Sequence, residues 1–125
     1  MLRGTSQLSE NPLLARLVDE MLQEDRRDVA YNRRSVHRTP FVRPVSIDLR
    51  ESPDQQLSGF SKNISSMGIA VFTNQEIAEK SVASIRILRL NERAVSIIAD
   101  CRWCKKFGHG WFISGWHFLN VNRRP

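Results

Sequence analysis

One segment of the chain alternates apolar and polar residues more regularly than any other, and this pattern constrains the fold most. Within residues 93–104 (RAVSIIADCRWC), every second residue is apolar: Val95, Ile97, Ala99, Cys101 and Trp103. Successive side chains of a β-strand point to opposite faces, so this period of two predicts a strand with one face in an apolar core. We therefore expect Trp103 in that core beside Cys101.

Five further segments have the length and composition of short strands. They cover residues 45–49, 56–65, 67–74, 81–90 and 111–120. Turn-forming clusters such as ESPDQ and KKFGHG separate them. Six short strands joined by such turns are typical of a small antiparallel barrel, and 125 residues suffice for one domain of this kind. We predict a mainly β fold, a six-stranded antiparallel barrel.

The N-terminal part of the chain has a different period. Its apolar residues have the i, i+3, i+4, i+7 spacing of an amphipathic helix: Leu14, Leu17, Val18 and Met21. We predict an α-helix over about residues 12–27, within an N-terminal arm of residues 1–30 that precedes a barrel domain of residues 31–122. The apolar stripe of this helix needs a surface to cover: the barrel, a second copy or a partner.

Composition and charge exclude several classes of protein. The chain has 15 Arg and 4 Lys against 13 Asp and Glu, a formal charge of +6. Arginine pairs with phosphate through a planar fork, so this bias favours a phosphorylated partner. No apolar run approaches the roughly 20 residues of a membrane span, and a secretory signal is lacking, so we expect a cytoplasmic protein. No arrangement of nucleophile, base and acid indicates an enzyme.

Two cysteines form a Cys-x-x-Cys pair, Cys101 and Cys104, with His109 and His117 nearby in sequence. Residues three apart on a strand point to opposite faces, which would separate the two thiols and prevent shared tetrahedral zinc coordination. A local bulge would bring both thiols to the same face, but the chain has no second Cys pair to complete a zinc site. We predict no metal site and no cofactor.

Residues 32–41 (NRRSVHRTPF) are unusually basic for a segment before the first strand. Arg34 and Arg38 have Arg-x-x-x-Arg spacing. Alone, this spacing is equally typical of a solvated basic linker, because arginine-rich chains contain such pairs by chance. Indeed a second pair occurs at Arg89 and Arg93, which we interpret as a solvated hairpin end.

The junction of the second and third predicted strands has a second polar motif, NISSMG. It contains Asn63, Ser65 and Gly68 with Asn-x-Ser-x-x-Gly spacing. Asn and Ser provide short, directional hydrogen bonds, and Gly permits a close backbone approach. Alone, the motif is also explained by a polar hairpin turn, in which these residues are common.

In their order, separation and β context, the two motifs resemble those of the PilZ domain, over nearly all of the chain outside the predicted helix. The resemblance implies binding of cyclic di-GMP, a bacterial second messenger with two guanines and two phosphodiesters, without catalysis. It assigns Arg34 and Arg38 to phosphate and to the acceptor edge of guanine. It assigns Asn63 and Ser65 to guanine recognition from the barrel side, and Gly68 to close approach of the turn.

Three further residues are candidates for the same site. An arginine at position 33, just before the motif, resembles the arrangement in this family that accepts two intercalated messenger molecules, so we include Arg33. His37 lies inside the basic segment and is equally expected as an exposed bystander. Trp103 is where the family sometimes places an aromatic residue near the ligand, although its alternation favours the core.

We expect the clamp segment, residues 31–39, to be flexible without ligand and to fold over the barrel when the messenger binds. This would move the helix and offer a changed surface to an unidentified protein partner or to a second copy. Two alternatives stay open at this point. One is a basic barrel that binds RNA or single-stranded nucleic acid through charge and stacking. The other is a degenerate family member that works only through protein contacts.

Overall fold

The structure, a computed structural model, describes residues 11–25, 38–90 and 93–122. Within these ranges the chain forms a single helix and seven strands. They are α1 (Pro12–Asp25), β1 (Thr39–Pro40), β2 (Pro44–Leu49), β3 (Gln56–Ile64), β4 (Gly68–Thr73), β5 (Val82–Leu88), β6 (Ala94–Gly108) and β7 (Trp111–Val121).

Strands β2 to β7 form a closed antiparallel barrel. The strand order is β1-β3-β2-β5-β6-β7-β4, and β4 also pairs with β3, which closes the ring. The prediction of a six-stranded barrel preceded by a helix is confirmed. The two-residue β1 is an addition: Thr39 pairs with Ile64 and Pro40 with Asn63 of β3.

The barrel interior is filled by the apolar residues that alternate along the strands. The most completely buried include Ile47, Ile64, Ile69, Val71, Ile85, Ile87, Ile97 and Trp116. Full burial of one such side chain stabilises a fold by about 1.5–3 kcal/mol, so these residues are the main source of stability. The polar residues between them lie on the outer face, as on β3, where buried and exposed residues alternate.

Helix α1 covers part of this core. Its buried residues belong to the same apolar cluster as the barrel interior: Leu14, Val18, Met21 and Leu22. The side chain of Asn11 accepts a hydrogen bond from the backbone N–H of Leu13 at 2.9 Å and thereby caps the helix. Of the three surfaces considered for the helix stripe, the barrel is the one that it covers. No helix in the described ranges has the length and hydropathy to cross a membrane.

Arg89, at the end of β5, attaches the helix to the barrel. Its Nε donates a hydrogen bond to Oε2 of Glu24 at 2.9 Å, its Nη2 contacts the same oxygen, and Glu20 Oε1 lies 3.8 Å away. The side chains of Arg89 and Glu24 are only 16% and 20% exposed. The interpretation of this segment as a solvated hairpin end is therefore wrong for Arg89.

The hairpin of β6 and β7 is longer than predicted, because β6 continues through most of the KKFGHG segment to Gly108. The turn consists of His109 and Gly110 alone, with φ values of 53° and 83°. Positive φ at both central residues is the geometry of the tight two-residue turn that matches strand twist. The hairpin therefore extends as a paired ribbon to its tip.

A bulge in β6 changes which side chains face the core. Cys101 pairs with Trp116 and Trp103 with Gly115, so Arg102 is an extra residue between two consecutive pairs. An extra residue reverses the faces of those that follow it. Trp103 therefore lies on the outer face and is partly buried there. The prediction of Trp103 as a core residue is wrong.

The same bulge places Cys104 on the core face. It pairs with the buried Ser114, and it packs against the apolar cluster that contains Cys101. The prediction that the two cysteines point to opposite faces is wrong. Burial, and secondly the proximity of Cys104, raise the pKa of Cys101 to about 11. In the part of the chain that the structure describes, no three His, Cys, Asp or Glu residues are arranged to hold a metal ion.

Candidate functional site

The outer face of β3, β4, β7 and β6 contains a row of four paired residues. Asn63 pairs with Ala70, Ala70 with Gly115, and Gly115 with Trp103. Ala70 and Gly115, between the Asn63 amide and the Trp103 indole, are small and buried, and the indole covers Gly115. We call these four residues the platform.

The two sequence motifs meet at one edge of the platform. Arg38 Nη1 donates a hydrogen bond to Asn63 Oδ1 at 3.2 Å. Strand β1 holds this geometry, because it pairs with the end of β3 and begins immediately after Arg38. The Arg38 side chain is exposed, and the protein atoms around its guanidinium lower its pKa by desolvation, although an arginine remains charged at neutral pH. The remaining N–H groups of its fork can donate to an anion.

Ser65 and Gly68 shape the turn that follows Asn63. The Oγ of Ser65 accepts a hydrogen bond from the Met67 N–H at 3.1 Å, and the Ser65 N–H donates to the Gly68 carbonyl at 2.9 Å. Ser65 is 3% exposed. A Cβ atom on Gly68 would lie 2.1 Å from the carbonyl oxygen of Trp116 on β7. Both residues therefore position the platform, and their direct contact with a ligand stays a prediction.

Trp103 forms the opposite edge of the platform. Its indole covers Gly115, where an added Cβ atom would lie 2.2 Å from Nε1 and 2.3 Å from Cε2. The Nζ of Lys105 lies over the same ring, 5.4 Å from its centroid. An aromatic ring with an adjacent ammonium group suits a flat, anionic ligand.

Arg102, the bulge residue, adds a cation beside the platform that the sequence reasoning missed. Its Nε donates to Asp100 Oδ1 at 3.0 Å, and its Nη2 lies 3.2 Å from Nδ1 of His117, the residue paired with Gly68. The Arg102 side chain is 57% exposed. The alternation of apolar and polar residues cannot predict where the side chain of a bulge residue points, so the sequence contains no signal for Arg102.

The strands of this face are almost free of negative charge. Residues 55–75 and 101–125 contain no Asp or Glu. The cations of β3 and β6 in these stretches are Lys62, Arg102, Lys105 and Lys106. Asp100 borders the platform, and it is paired with Arg102. An anionic ligand would therefore meet little repulsion from the strands of this face.

Three of the predicted site residues, Arg33, Arg34 and His37, lie outside the described residues, and their roles stay predictions. The structure brings together Arg38, Asn63 and the turn through Gly68, and it adds Trp103 on the same outer face.

Comparison with solved structures identifies proteins with the same fold. The PilZ domain of CeSA from a cellulose-synthesizing bacterium is 19% identical, with a TM-score of 0.52 over 69% of this chain and 83% of that chain. The Bacillus subtilis inhibitor of motility, MotI/DgrA, is 23% identical, with a TM-score of 0.57 over 74% of this chain and 46% of that chain. Comparison with curated proteins gives no match.

Comparison with family models gives a match that covers most of the chain. The model of the PilZ domain matches residues 32–125, which include both polar motifs and the whole barrel. PilZ domains are binding or regulatory modules, generally receptors for cyclic di-GMP. The chain therefore belongs to the PilZ domain family.

Proposed function

We propose that this chain is a receptor that binds cyclic di-GMP through the platform and the basic clamp segment, and that it passes the signal to a protein partner. The observation that supports this most is the hydrogen bond between Arg38 and Asn63, which joins the two motifs on one face. Neither motif alone indicates a ligand. Their convergence brings a guanidinium and an amide together at one edge of the platform.

The chemistry of the messenger fits the polar edge of the platform. Its phosphodiesters are anionic, and a guanidinium donates two parallel, charge-assisted hydrogen bonds to such a group. Guanine presents O6 and N7 as neighbouring acceptors, which match the same fork. Arg38, with Arg34 from the preceding segment, would bind these groups. The Asn63 amide, as donor and acceptor, would read the guanine edge from the barrel side.

The rest of the platform fits a purine ring. The Trp103 indole, which covers Gly115, presents an aromatic surface on which a purine can stack. Ser65 and Gly68 hold the turn that follows Asn63 on the same outer face. Binding to a surface that is already in place loses less conformational entropy than binding to one that must fold first.

The cations beside the platform favour binding of two messenger molecules. An intercalated pair brings four phosphate charges, and Arg33 precedes the clamp motif in the sequence. Arg102 and Lys105 add positive charge at the opposite edge. We therefore expect a stoichiometry of about two messenger molecules per chain.

Helix α1 would transmit the signal. It is packed on the barrel and attached by the ion pair of Arg89 and Glu24, and the clamp segment follows it in the chain. We assign residues 1–30 to a regulatory arm and residues 31–122 to the receptor domain. Ordering of the clamp by the messenger would change the surface that the arm offers to a partner or to a second copy. The messenger is intracellular, so we place the protein in the cytoplasm.

Isothermal titration with cyclic di-GMP tests the proposal. We expect saturable binding by the wild type, much weaker binding of GMP, and a loss of about tenfold to a hundredfold in affinity for Arg38→Ala and for Asn63→Ala. Arg86→Ala is the matched control, because Arg86 is also exposed but lies on β5.

Absence of binding by the wild type would refute messenger recognition. Wild-type affinity in Arg38→Ala and Asn63→Ala would refute this site. Tight binding of oligonucleotides of any sequence, falling steeply with salt, would favour the nucleic-acid alternative instead.

A further inference from the structure

Four aromatic side chains surround a cavity near the tip of the β6–β7 hairpin: Phe60, Phe72, Phe107 and Trp111. The cavity measures about 370 Å³, and Gly108 and His109 complete its lining. It opens on the same outer face as the platform, nearer the hairpin turn. We call it the aromatic pit. None of the residues assigned to messenger binding lines it.

The aromatic side chains of the pit are not part of the buried barrel core. Phe60 pairs with Phe72 across β3 and β4, and Phe107 meets Phe72 edge to face with ring centroids 4.8 Å apart. Phe60 is 50% exposed, Phe107 60% and Trp111 38%. Single exposed apolar residues are common, but clustered exposed aromatic rings mark interaction sites, and Trp is enriched among the residues that dominate binding energy.

The hairpin holds the aromatic pit in a fixed shape. Gly108 pairs with Trp111 at the last position of the ladder, and the two-residue turn closes it. Phe107 is the extra residue between the pairs Lys106–Phe112 and Gly108–Trp111, so it is a bulge residue with paired residues on both sides. A concave surface that exists before binding loses little entropy when a partner docks.

Charge around the aromatic pit determines the character of its partner. Lys105, Lys106 and His109 are exposed at the hairpin end. Residues 55–75 and 101–125, which supply the whole lining, contain no Asp or Glu. Lys105 and Lys106 would attract an acidic partner to this cavity and repel a basic one.

The arrangement of the rings favours a protein over a nucleic acid. Single-stranded nucleic acids stack successive bases on separate, open aromatic faces along a track of cations. Here Phe72 and Phe107 meet edge to face and Phe60 lines the same cavity, which suits insertion of a side chain rather than stacking of a strand. We infer that the aromatic pit docks a segment of a partner protein that inserts an aromatic or aliphatic side chain and has Asp or Glu residues beside it.

Selection from a displayed library of random peptides of about 12 residues, with the full chain as target, tests this inference. We expect selected peptides to combine an aromatic or aliphatic anchor with Asp or Glu. Phe107→Ser should weaken them about tenfold or more in fluorescence anisotropy. Leu90→Ser is the matched control, because Leu90 is 57% exposed and lies in the β5–β6 connection. It should change their affinity by about twofold at most.

A second variant tests the charge requirement without altering the rings. Lys106→Glu should weaken the selected peptides, and added salt should weaken wild-type binding in the same direction. Peptides without acidic residues, or equal weakening by Phe107→Ser and Leu90→Ser, would overturn the inference. So would tight binding of an oligo-dT of about 20 nucleotides that Phe107→Ser abolishes. Cyclic di-GMP titration of the same variants is a separate readout, so failure of messenger binding and failure of peptide docking are distinguishable.

Discussion

Arg38 Nη1 and Asn63 Oδ1 lie 3.2 Å apart, although 25 positions separate the two residues in the chain. The hydrogen bond depends on β1, whose two residues pair with the end of β3 and so fix the backbone next to Arg38. Each residue belongs to a short motif with an ordinary explanation. The bond between them gives both motifs one location on the outer face of the barrel.

The affinity for the messenger should depend on the shape of the Arg38 side chain and not on its charge alone. Arg38→Lys keeps the positive charge but loses the planar fork that matches phosphate and guanine. We expect the dissociation constant for cyclic di-GMP to rise about tenfold in isothermal titration. Arg86→Lys, the matched change on β5, should leave it unchanged. Wild-type affinity in Arg38→Lys would mean that charge alone attracts the ligand.

Gly68 should be required for the stability of the barrel. A Cβ atom there would lie 2.1 Å from the Trp116 carbonyl oxygen, and the paired backbones of β4 and β7 cannot separate without loss of hydrogen bonds. We expect Gly68→Ala to lower the free energy of unfolding by about 1–3 kcal/mol in urea titration. An unchanged unfolding midpoint would show that the two strands can shift at this point.

Gly115 offers a matched comparison, because its substitution should affect the site more than the fold. A Cβ atom at this position would meet the Trp103 indole, which lies on the outer face and can move, rather than backbone. We expect Gly115→Ala to cost less stability than Gly68→Ala and to weaken cyclic di-GMP binding several-fold, because the added methyl group would displace the indole from its position in the platform. Unchanged messenger affinity together with a large loss of stability would contradict this assignment.

The strands and the helix were predictable because their signals are local. The apolar alternation around Ile97 and the helical spacing around Val18 both describe side chains that face one core, and both are buried in the structure. The order of the two polar motifs could also be read directly from the sequence. Family resemblance then assigned both motifs to one ligand site. The structure brings Arg38 and Asn63 together, and their contact with the messenger stays a prediction.

The features that could not be predicted depend on pairing between distant segments. The bulge at Arg102 reverses the face of Trp103. In the sequence, the apolar alternation continues past Arg102 without a break and gives no sign of this bulge. Strand β1 consists of two residues and exists only because β3 is beside it. Arg89 pairs with Glu24, which is 65 positions away in the chain, and no local sequence pattern predicts such a contact.

Removal of the Arg89 guanidinium should loosen the helix. Arg89→Ala would leave Glu24 partly buried without its charged partner, and such a change costs more than loss of an exposed ion pair. We expect the free energy of unfolding to fall by about 2 kcal/mol, with faster amide exchange along α1. Arg86→Ala should change neither quantity. Unchanged exchange in Arg89→Ala would show that apolar packing alone holds the helix.

Cys101 should make the stability depend on pH in the alkaline range. Burial raises its pKa from the usual 9.0 to about 11, and the neighbouring Cys104 adds to this effect. The folded chain therefore keeps a proton that the unfolded chain releases between pH 9 and 11, so rising pH favours unfolding across this window. We expect the stability advantage of wild type over Cys101→Ala to be full below pH 9 and to shrink by roughly 1–3 kcal/mol towards pH 11. Urea titrations of both proteins at several pH values measure this difference, and a difference that stays constant would show that the buried thiol ionises as readily as a free one.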